Sequence, residues 1–458
     1  ASACLRQHRE AVPGRVGSFC LLPGLHPANC EIMHRRQFLA TAGAGALSAL
    51  SLTALPAVAR DLIRDIEPQR ITKIETVRFH PRLQVSGRSI QWMWVRLHTD
   101  RGLVGTGETY PFNEASEGAI KDLQWHSWAG KLLGADALEI EDTWARIFRQ
   151  NAYHVFGGAE MRALSAINLA QWDILGQAAG LPVYRMLGGS ATRPLRVYNT
   201  YTNARNIQGW TLERDMEQIA RFLVEQGIPA IKFCPFDAVG RRNRGEYITR
   251  PEIESCLDWI RRVRDAVGYQ LEIGCEFHSI WNLPSAMRIA EALEPFDVLF
   301  LEDILLQDNL QSYVTLAQHT SIPLVISERL ATRFDFRELF EAKAGSVAMY
   351  DLTWCGGISE GKKISDMANT YYVPTMLHTA GGPILWYASL HLAAAVTNLF
   401  FVESVYPNWK ARYPFFFDNV PQVEAGTARP PDLPGLGLQF KEGLFDREEV
   451  IVETIAEA

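Results

Sequence analysis

Three short apolar segments, each ending in glutamate, constrain this chain more than any other feature. They read Leu271-Glu-Ile-Gly-Cys-Glu276, Val298-Leu-Phe-Leu-Glu302 and Pro323-Leu-Val-Ile-Ser-Glu328, so that Glu276, Glu302 and Glu328 recur at a constant step of 26 residues. Each segment has the length and composition of a buried strand, and helical patterns from Leu283 to Leu293 and from Leu310 to Gln318 lie between them. Parallel strands need crossovers of this length, and right-handed crossovers set successive strands side by side with their C-terminal ends at one edge. Carboxylates gathered at one edge repel each other unless a cation sits between them. One such glutamate alone reads most simply as a solvated loop acid or a helix N-terminal acid. Three in step read as oxygen ligands for one hard divalent ion, with Mg²⁺ the expected one.

The alternation runs from Pro194 to about Glu403. Leu195 to Thr200, Ala230 to Phe233, Ser346 to Asp351, Val373 to His378 and Asn398 to Glu403 bring the strands to eight. Eight βα units close most naturally into a (β/α)₈ TIM barrel, with the site at the C-terminal strand ends. Lys232, Asp351, His378 and Glu403 stand at such ends, and His278, two residues past Glu276, shares its face of an extended strand. Asp351 and His378 close neighbouring strands, so the carboxylate can fix the imidazole tautomer and raise its basicity. A lone histidine is more often a satisfied core residue; it is the set that points to chemistry. The stretch from Cys234 to Pro251 reads as a loop, and its Arg241, Arg242 and Arg244 as a solvated surface or subunit contact, with anion capture the minor reading.

Upstream, Ile71 to Phe79, Ile90 to His98 and Leu103 to Glu108 alternate as an antiparallel meander, and Ala159 to Ala179 carries an apolar helical stripe stopped by Gly180 and Pro182. The expected organisation is a capping α+β domain over residues 60–193, the barrel over 194–410, and a segment over 411–458 that returns to the cap. Two aromatic loops, Tyr110 to Asn113 and Asn151 to Phe156, read equally as core plugs or as a lid.

Residues 1–59 stand apart. His34-Arg35-Arg36-Gln37-Phe38-Leu39, a mildly apolar stretch and Ala57-Val58-Ala59 describe a twin-arginine export signal, with cleavage before Arg60 and a periplasmic destination expected. Its glycines and serines make it poorly apolar for a membrane anchor. Without this segment the formal charge moves from −7 to −10, a surface that does not attract nucleic acid. Four cysteines remain, Cys234, Cys256, Cys275 and Cys355, too few and too widely spaced for a disulfide framework, so free thiols are expected.

A metal ion beside general bases is equipment for removing the proton next to a carboxylate, because the ion stabilises the enediolate that forms. Val183-Tyr-Arg-Met-Leu-Gly-Gly189 after a helix with Gln171-Trp-Asp173, the glutamate series, Asp351 before Cys355-Gly-Gly-Ile358, and His378 before Gly382-Pro383 together resemble the mandelate racemase branch of the enolase superfamily. The resemblance covers about Ile71 to Phe440 and implies a capped, modified barrel, Mg²⁺ and abstraction of the proton alpha to a carboxylate. Cys275-Glu-Phe-His278 is similar to the third-strand motif of acid-sugar dehydratases of the galactonate and gluconate type, which implies His278 as the acid for a departing hydroxyl. The chain departs from the family in Glu276, often aspartate there, and in Lys232-Phe-Cys234, where racemases carry Lys-x-Lys. On this reading His378, oriented by Asp351, takes the C2 proton of an aldonate or aldarate, and His278 protonates the C3 hydroxyl. Lys232 and Glu403 contact the substrate carboxylate or the enediolate, and a 2-keto-3-deoxy acid results. A homo-oligomer is the expected assembly. An epimerase or cycloisomerase, a metal-assisted phosphate-ester hydrolase and a non-catalytic sugar-acid binding protein are the rival readings.

Overall fold

The computed structural model describes residues 66–150, 157–202 and 207–456. The export-signal expectation and the loop Asn151 to Phe156 lie outside these residues. Strands β1 (Ile71–Phe79), β2 (Met93–Thr99) and β3 (Val104–Thr109) form the antiparallel meander. A fourth strand joins its other edge: β12 (Val450–Ala456) pairs antiparallel with β1, giving the order β12-β1-β2-β3. The helix α1 (Gly158–Ala179) lies across this sheet. It approaches β3 so closely that a Cβ on Gly105 would stand 2.1 Å from the Ala170 carbonyl oxygen and one on Gly107 1.8 Å from that of Ala166. Glycine is the residue that permits this contact. The helix ends where Gly180 turns left-handed at φ 67°.

Eight parallel strands follow: β4 (Leu195–Thr200), β5 (Ala230–Phe233), β6 (Glu272–Glu276), β7 (Phe300–Glu302), β8 (Leu324–Ile326), β9 (Val347–Tyr350), β10 (Thr375–Leu377) and β11 (Leu399–Ser404). Each pairs with the next, and β11 pairs with β4 through Val402↔Val197, Glu403↔Tyr198 and Ser404↔Asn199, which closes the barrel. Tyr198, Ala230, Phe300, Val325, Met349, Met376 and Phe401 form a separate buried cluster, the filling of the barrel. Gly274 leaves room in it, since a Cβ there would meet the Phe300 ring at 2.2 Å.

Because side chains alternate along a strand, the residue two positions after each filling residue points inward one layer higher. That rule carries Ala230 to Lys232, Gly274 to Glu276, Phe300 to Glu302, Met349 to Asp351, Met376 to His378 and Phe401 to Glu403. Strand β8, the fifth of the barrel, breaks it. Val325 leads to Ser327, and Glu328 lies beyond the end of β8, which leaves it only partly buried.

The stretch expected as a loop after β5 is instead largely helical: α2 (Asp237–Asn243) precedes α3 (Arg250–Val267), which begins with a capping box between Thr249 and Glu252. Arg241 and Arg242 are ion-paired with Asp237 and Glu252, at 3.2 and 2.8 Å. The tail touches the cap as expected, for Leu436 N–H donates to Asp173 at 2.8 Å, but its sheet pairing comes from β12 rather than from Pro431 to Phe440. Cys234, Cys256, Cys275 and Cys355 are free thiols. Among the described residues no helix is long and apolar enough to cross a membrane.

Candidate active site

All eight residues singled out from the sequence gather at the C-terminal end of the barrel. Lys232, Glu276, His278, Glu328, His378 and Glu403 line a cavity of about 290 Å³, with Tyr110, Phe112 and Trp354 at its aromatic side. Glu302 and Asp351, fully buried, stand directly behind it. Tyr110 and Phe112 come from the cap, which places that aromatic loop over the barrel mouth. Both alternatives hold in part: Tyr110 is buried in the core and also lines the pocket, while Phe112 is exposed at its rim.

The acidic side of the pocket is crowded. Glu276 and Glu302 are register partners on β6 and β7. Lys232 Nζ lies between them, 3.3 Å from Glu276 and bonded to Glu302, and 3.4 Å from Glu403. All three ion-pair contacts of this lysine are thus to protein carboxylates. Burial works to raise Glu276, yet the Lys232 charge, the bond to Glu302 and the His278 charge and backbone N–H together hold it well below the usual carboxylate range. Burial and the neighbouring Glu276 push Glu302 well above that range, so the pair does not ionise fully on its own charges. Glu302 Oε2, Glu328 Oε2 and Asp303 Oδ1 are buried oxygens without a hydrogen-bond partner.

Such orphaned hard oxygens fit a divalent cation of the Mg²⁺ type, and Glu276, Glu302 and Glu328 are the residues that would hold it. The glutamates are not drawn into a tight ligand cage, however. Three potential donors within 4.8 Å of one another occur, among the described residues, at Cys234, Asp237 and His278.

The pocket also holds two imidazole-carboxylate pairs, one with His278 beside Glu276 and one with His378 beside Glu403. His378 Nδ1 lies 2.7 Å from Asp351 Oδ2, and Asp351 is itself fixed by the Thr353 backbone N–H at 2.7 Å and hydroxyl at 2.6 Å. His378 Nε2 is left toward the cavity, 3.7 Å from Glu403. Burial pulls this imidazole down, but Glu403, Asp351 and Glu328 outweigh it and hold it at about 9. Glu403, pushed up by burial, is brought down to about 2 by Lys232 and His378, with the Thr200 hydroxyl and the Thr379 N–H bonded to it.

His278 makes the matching pair: its Nδ1 lies 2.7 Å from Asp237 Oδ2, on the first turn of α2. Burial lowers its pKa, and the Asp237 hydrogen bond together with the charges of Glu276 and Asp237 more than offsets this, for a net rise. The backbone there is left-handed, at φ 50° for His278 and 58° for Ser279, the strained geometry of a residue aimed by its surroundings. Ser279 N–H donates to the Asp303 carbonyl at 2.6 Å, which pins this turn to the next strand end.

Asp237 is the functional residue the sequence conceals, since its partner is 41 positions away and its helix looks like a loop. Asp303 is similarly hidden behind Glu302. Glu108, at the end of β3, is a third. It accepts from Trp94 Nε1 at 2.9 Å and from the backbone of Leu385 and Ile384 at 3.1 and 3.2 Å, joining the cap to the start of the helix α4 (Pro383–Ala395) that follows His378.

A cap over a barrel whose strand ends carry five acids, a buried lysine and two oriented histidines defines an enzyme of the capped (β/α)₈ class. Two family profiles match it, one described as "Mandelate racemase / muconate lactonizing enzyme, N-terminal domain" over residues 73–188 and one as "Enolase C-terminal domain-like" over 214–444. The chain belongs to the mandelate racemase/muconate lactonizing enzyme family of the enolase superfamily. It is 31% identical to a D-galactonate dehydratase of Ralstonia pickettii over 380 residues, covering 82% of this chain and 93% of that protein. Among solved structures it resembles a mandelate racemase subgroup enolase from Agrobacterium tumefaciens, at 34% identity and TM-score 0.74 over 84% of this chain and 99% of that one. A putative dehydratase from Zymomonas mobilis aligns at 29% identity and TM-score 0.77, over 85% and 100%.

Proposed function

We propose that this enzyme is a Mg²⁺-dependent hydro-lyase that converts a sugar acid into its 2-keto-3-deoxy acid. The observation that carries the reading is the pair of carboxylate-oriented imidazoles lining one cavity beside orphaned acidic oxygens. The similarity to D-galactonate dehydratases supports the substrate class.

A divalent ion held by Glu276, Glu302 and Glu328 would supply positive charge beside the substrate carboxylate, acidify the neighbouring C–H bond and bring His378 down toward neutral pH. His378 Nε2 then accepts the C2 proton while Asp351 holds Nδ1–H and stabilises the imidazolium. Glu403 stands behind Nε2 and favours its protonated form once the proton has arrived. His278, kept protonated by Asp237, donates to the C3 hydroxyl as its bond to carbon breaks, so that water rather than hydroxide leaves. The enol that remains tautomerises to the ketone. Lys232 keeps Glu276 and Glu403 ionised instead of reaching for the substrate itself. The absence of Lys-x-Lys at β5, where Cys234 stands, speaks against racemisation through a second lysine.

The test is a screen of aldonate and aldarate salts with Mg²⁺, read as keto-acid formation and, in D₂O, as exchange at C2. Keto acid from at least one salt, lost on chelation of the metal, is the expected result. Exchange at C2 without loss of water would make the enzyme an epimerase instead. Export by the twin-arginine route is a further part of the proposal, and N-terminal sequencing of periplasmic protein should begin near Arg60; a periplasmic form that retains Arg35 and Arg36 would overturn it.

A further inference from the structure

We infer that the pocket has a second lobe built to receive a carboxylate at the far end of the substrate, so that the preferred sugar acid is a diacid. The inference rests on the sugar-acid reading above. A cavity of about 380 Å³ adjoins the catalytic one, and the two share Phe112, His278, Glu328 and Trp354 as common wall. With C2 beside His378 and C3 beside His278, the rest of the carbon chain leaves past His278 and Trp354, into this lobe.

The lobe offers what the catalytic cavity lacks, a cation not bonded to a protein carboxylate, although the charge of Asp351 acts on Arg162 without an ion-pair contact. Lys232 is engaged by three carboxylates. Arg162, on the cap helix α1, and Arg329, after β8, line the second lobe, and among the described residues neither forms an ion pair. Asp303 and Glu328 stand in the same wall without pairing to either; the Asp303 carboxyl accepts instead from the Ser327 hydroxyl at 2.6 Å.

Arg162 is also held in place. Its guanidinium carbon sits 4.5 Å from the Trp354 ring centre and 4.7 Å from that of Phe112, and one Nη donates to the Tyr110 carbonyl at 2.5 Å. A guanidinium fixed in its plane by two rings and one backbone bond has its other N–H groups preorganised for a bidentate partner. Leaving such a group partly buried and unpaired costs stability, which binding an anion recovers. A carboxylate matches the fork, and it is the anion a sugar acid can carry at its far end without further modification. A phosphate ester there would present the same charge, so the test includes it.

The experiment is calorimetry on the full chain with His378→Asn, which stops turnover, in the presence of Mg²⁺. The probes are six-carbon aldarates, the matching aldonates and the matching 6-phosphoaldonates. The aldarate should bind at least about 10-fold more tightly than its aldonate. Adding Arg162→Gln should weaken the aldarate by about 30-fold or more and the aldonate by less than about 3-fold. Arg162→Lys, which keeps the charge without the fork, should fall between and guards against a misfolded glutamine variant. Equal binding of aldarate and aldonate, tightest binding of the phosphoaldonate, or equal weakening of all three probes would each overturn the inference. Binding and turnover fail separately here. A diacid preference with no keto acid from any substrate counts against the lyase reading alone, and keto acid without a diacid preference counts against the far carboxylate alone.

Discussion

His278 and His378 share one device, an Nδ1 hydrogen bond of 2.7 Å to a carboxylate, yet their settings differ. His378 is buried and its partner Asp351 fully so, whereas His278 is exposed and Asp237 only partly covered. The buried pair suits a base whose tautomer must not change; the exposed one suits an acid that is reprotonated from solvent between turnovers. Asp237 is therefore a positioning residue with a measurable effect. In Asp237→Asn the charge that raises His278 is gone, so the alkaline limb of the pH-rate profile should move to lower pH. Turnover at neutral pH should fall by about 10- to 100-fold. Exchange of the C2 proton should persist, because His378 is untouched. A profile that does not move would show that Asp237 has only a packing role.

At the scale of elements, the site depends on how loops at strand ends are tied down. The turn after β10 is clamped between Glu403, which accepts from Thr379, and Glu108, which accepts from the first turn of α4. Gly382 is part of this fit, since a Cβ there would lie 2.3 Å from Glu108 Oε2. Burial pushes Glu108 up to about 8 against the three donors that favour its anion. Glu108→Ala would leave the Trp94, Ile384 and Leu385 N–H groups buried without partners, at a cost of about 3 kcal/mol or more. The midpoint of urea unfolding should drop accordingly, and an unchanged midpoint would show that the cap is not anchored there.

The same helix α4 carries His391, which accepts from Tyr184 N–H and donates to the Leu436 carbonyl, both at 3.2 Å, as a fully bonded neutral ring. Burial depresses it to about 4, below its ordinary 6.5. Between those values the unfolded chain binds a proton that the folded chain refuses. Stability therefore falls as pH drops from about 6.5 to about 4, by about 3 kcal/mol for this group, and is not lost further below it. Unfolding free energies across that range should fall less steeply in His391→Gln than in the wild type; identical slopes would assign the effect elsewhere.

For the whole molecule, what the sequence made legible follows from periodicity. The step from Glu276 to Glu302 is one βα unit in register, whereas Glu328 lies three residues past Val325, the register partner of Glu302; the alternation along each strand sets Lys232, Glu276, Glu302, Asp351, His378 and Glu403 on one inward face. Contacts made by folding were not legible. Asp237 meets His278 only because α2 folds back over the end of β6, and Arg162 reaches the pocket only because the cap sits on the barrel. The edge strand β12 is not legible either, because four of its seven residues are half-buried and two exposed, so its pattern lacks the alternation that marks a strand with one face in the core. The central claim is that one histidine takes a proton from carbon and the other gives one to oxygen, and proton NMR of substrate recovered from D₂O with Mg²⁺ tests it most directly. His378→Asn should abolish both C2 exchange and dehydration, while His278→Asn should still wash deuterium into C2 and lose water very slowly. Exchange that survives in His378→Asn and disappears in His278→Asn would contradict the account and reverse the two roles.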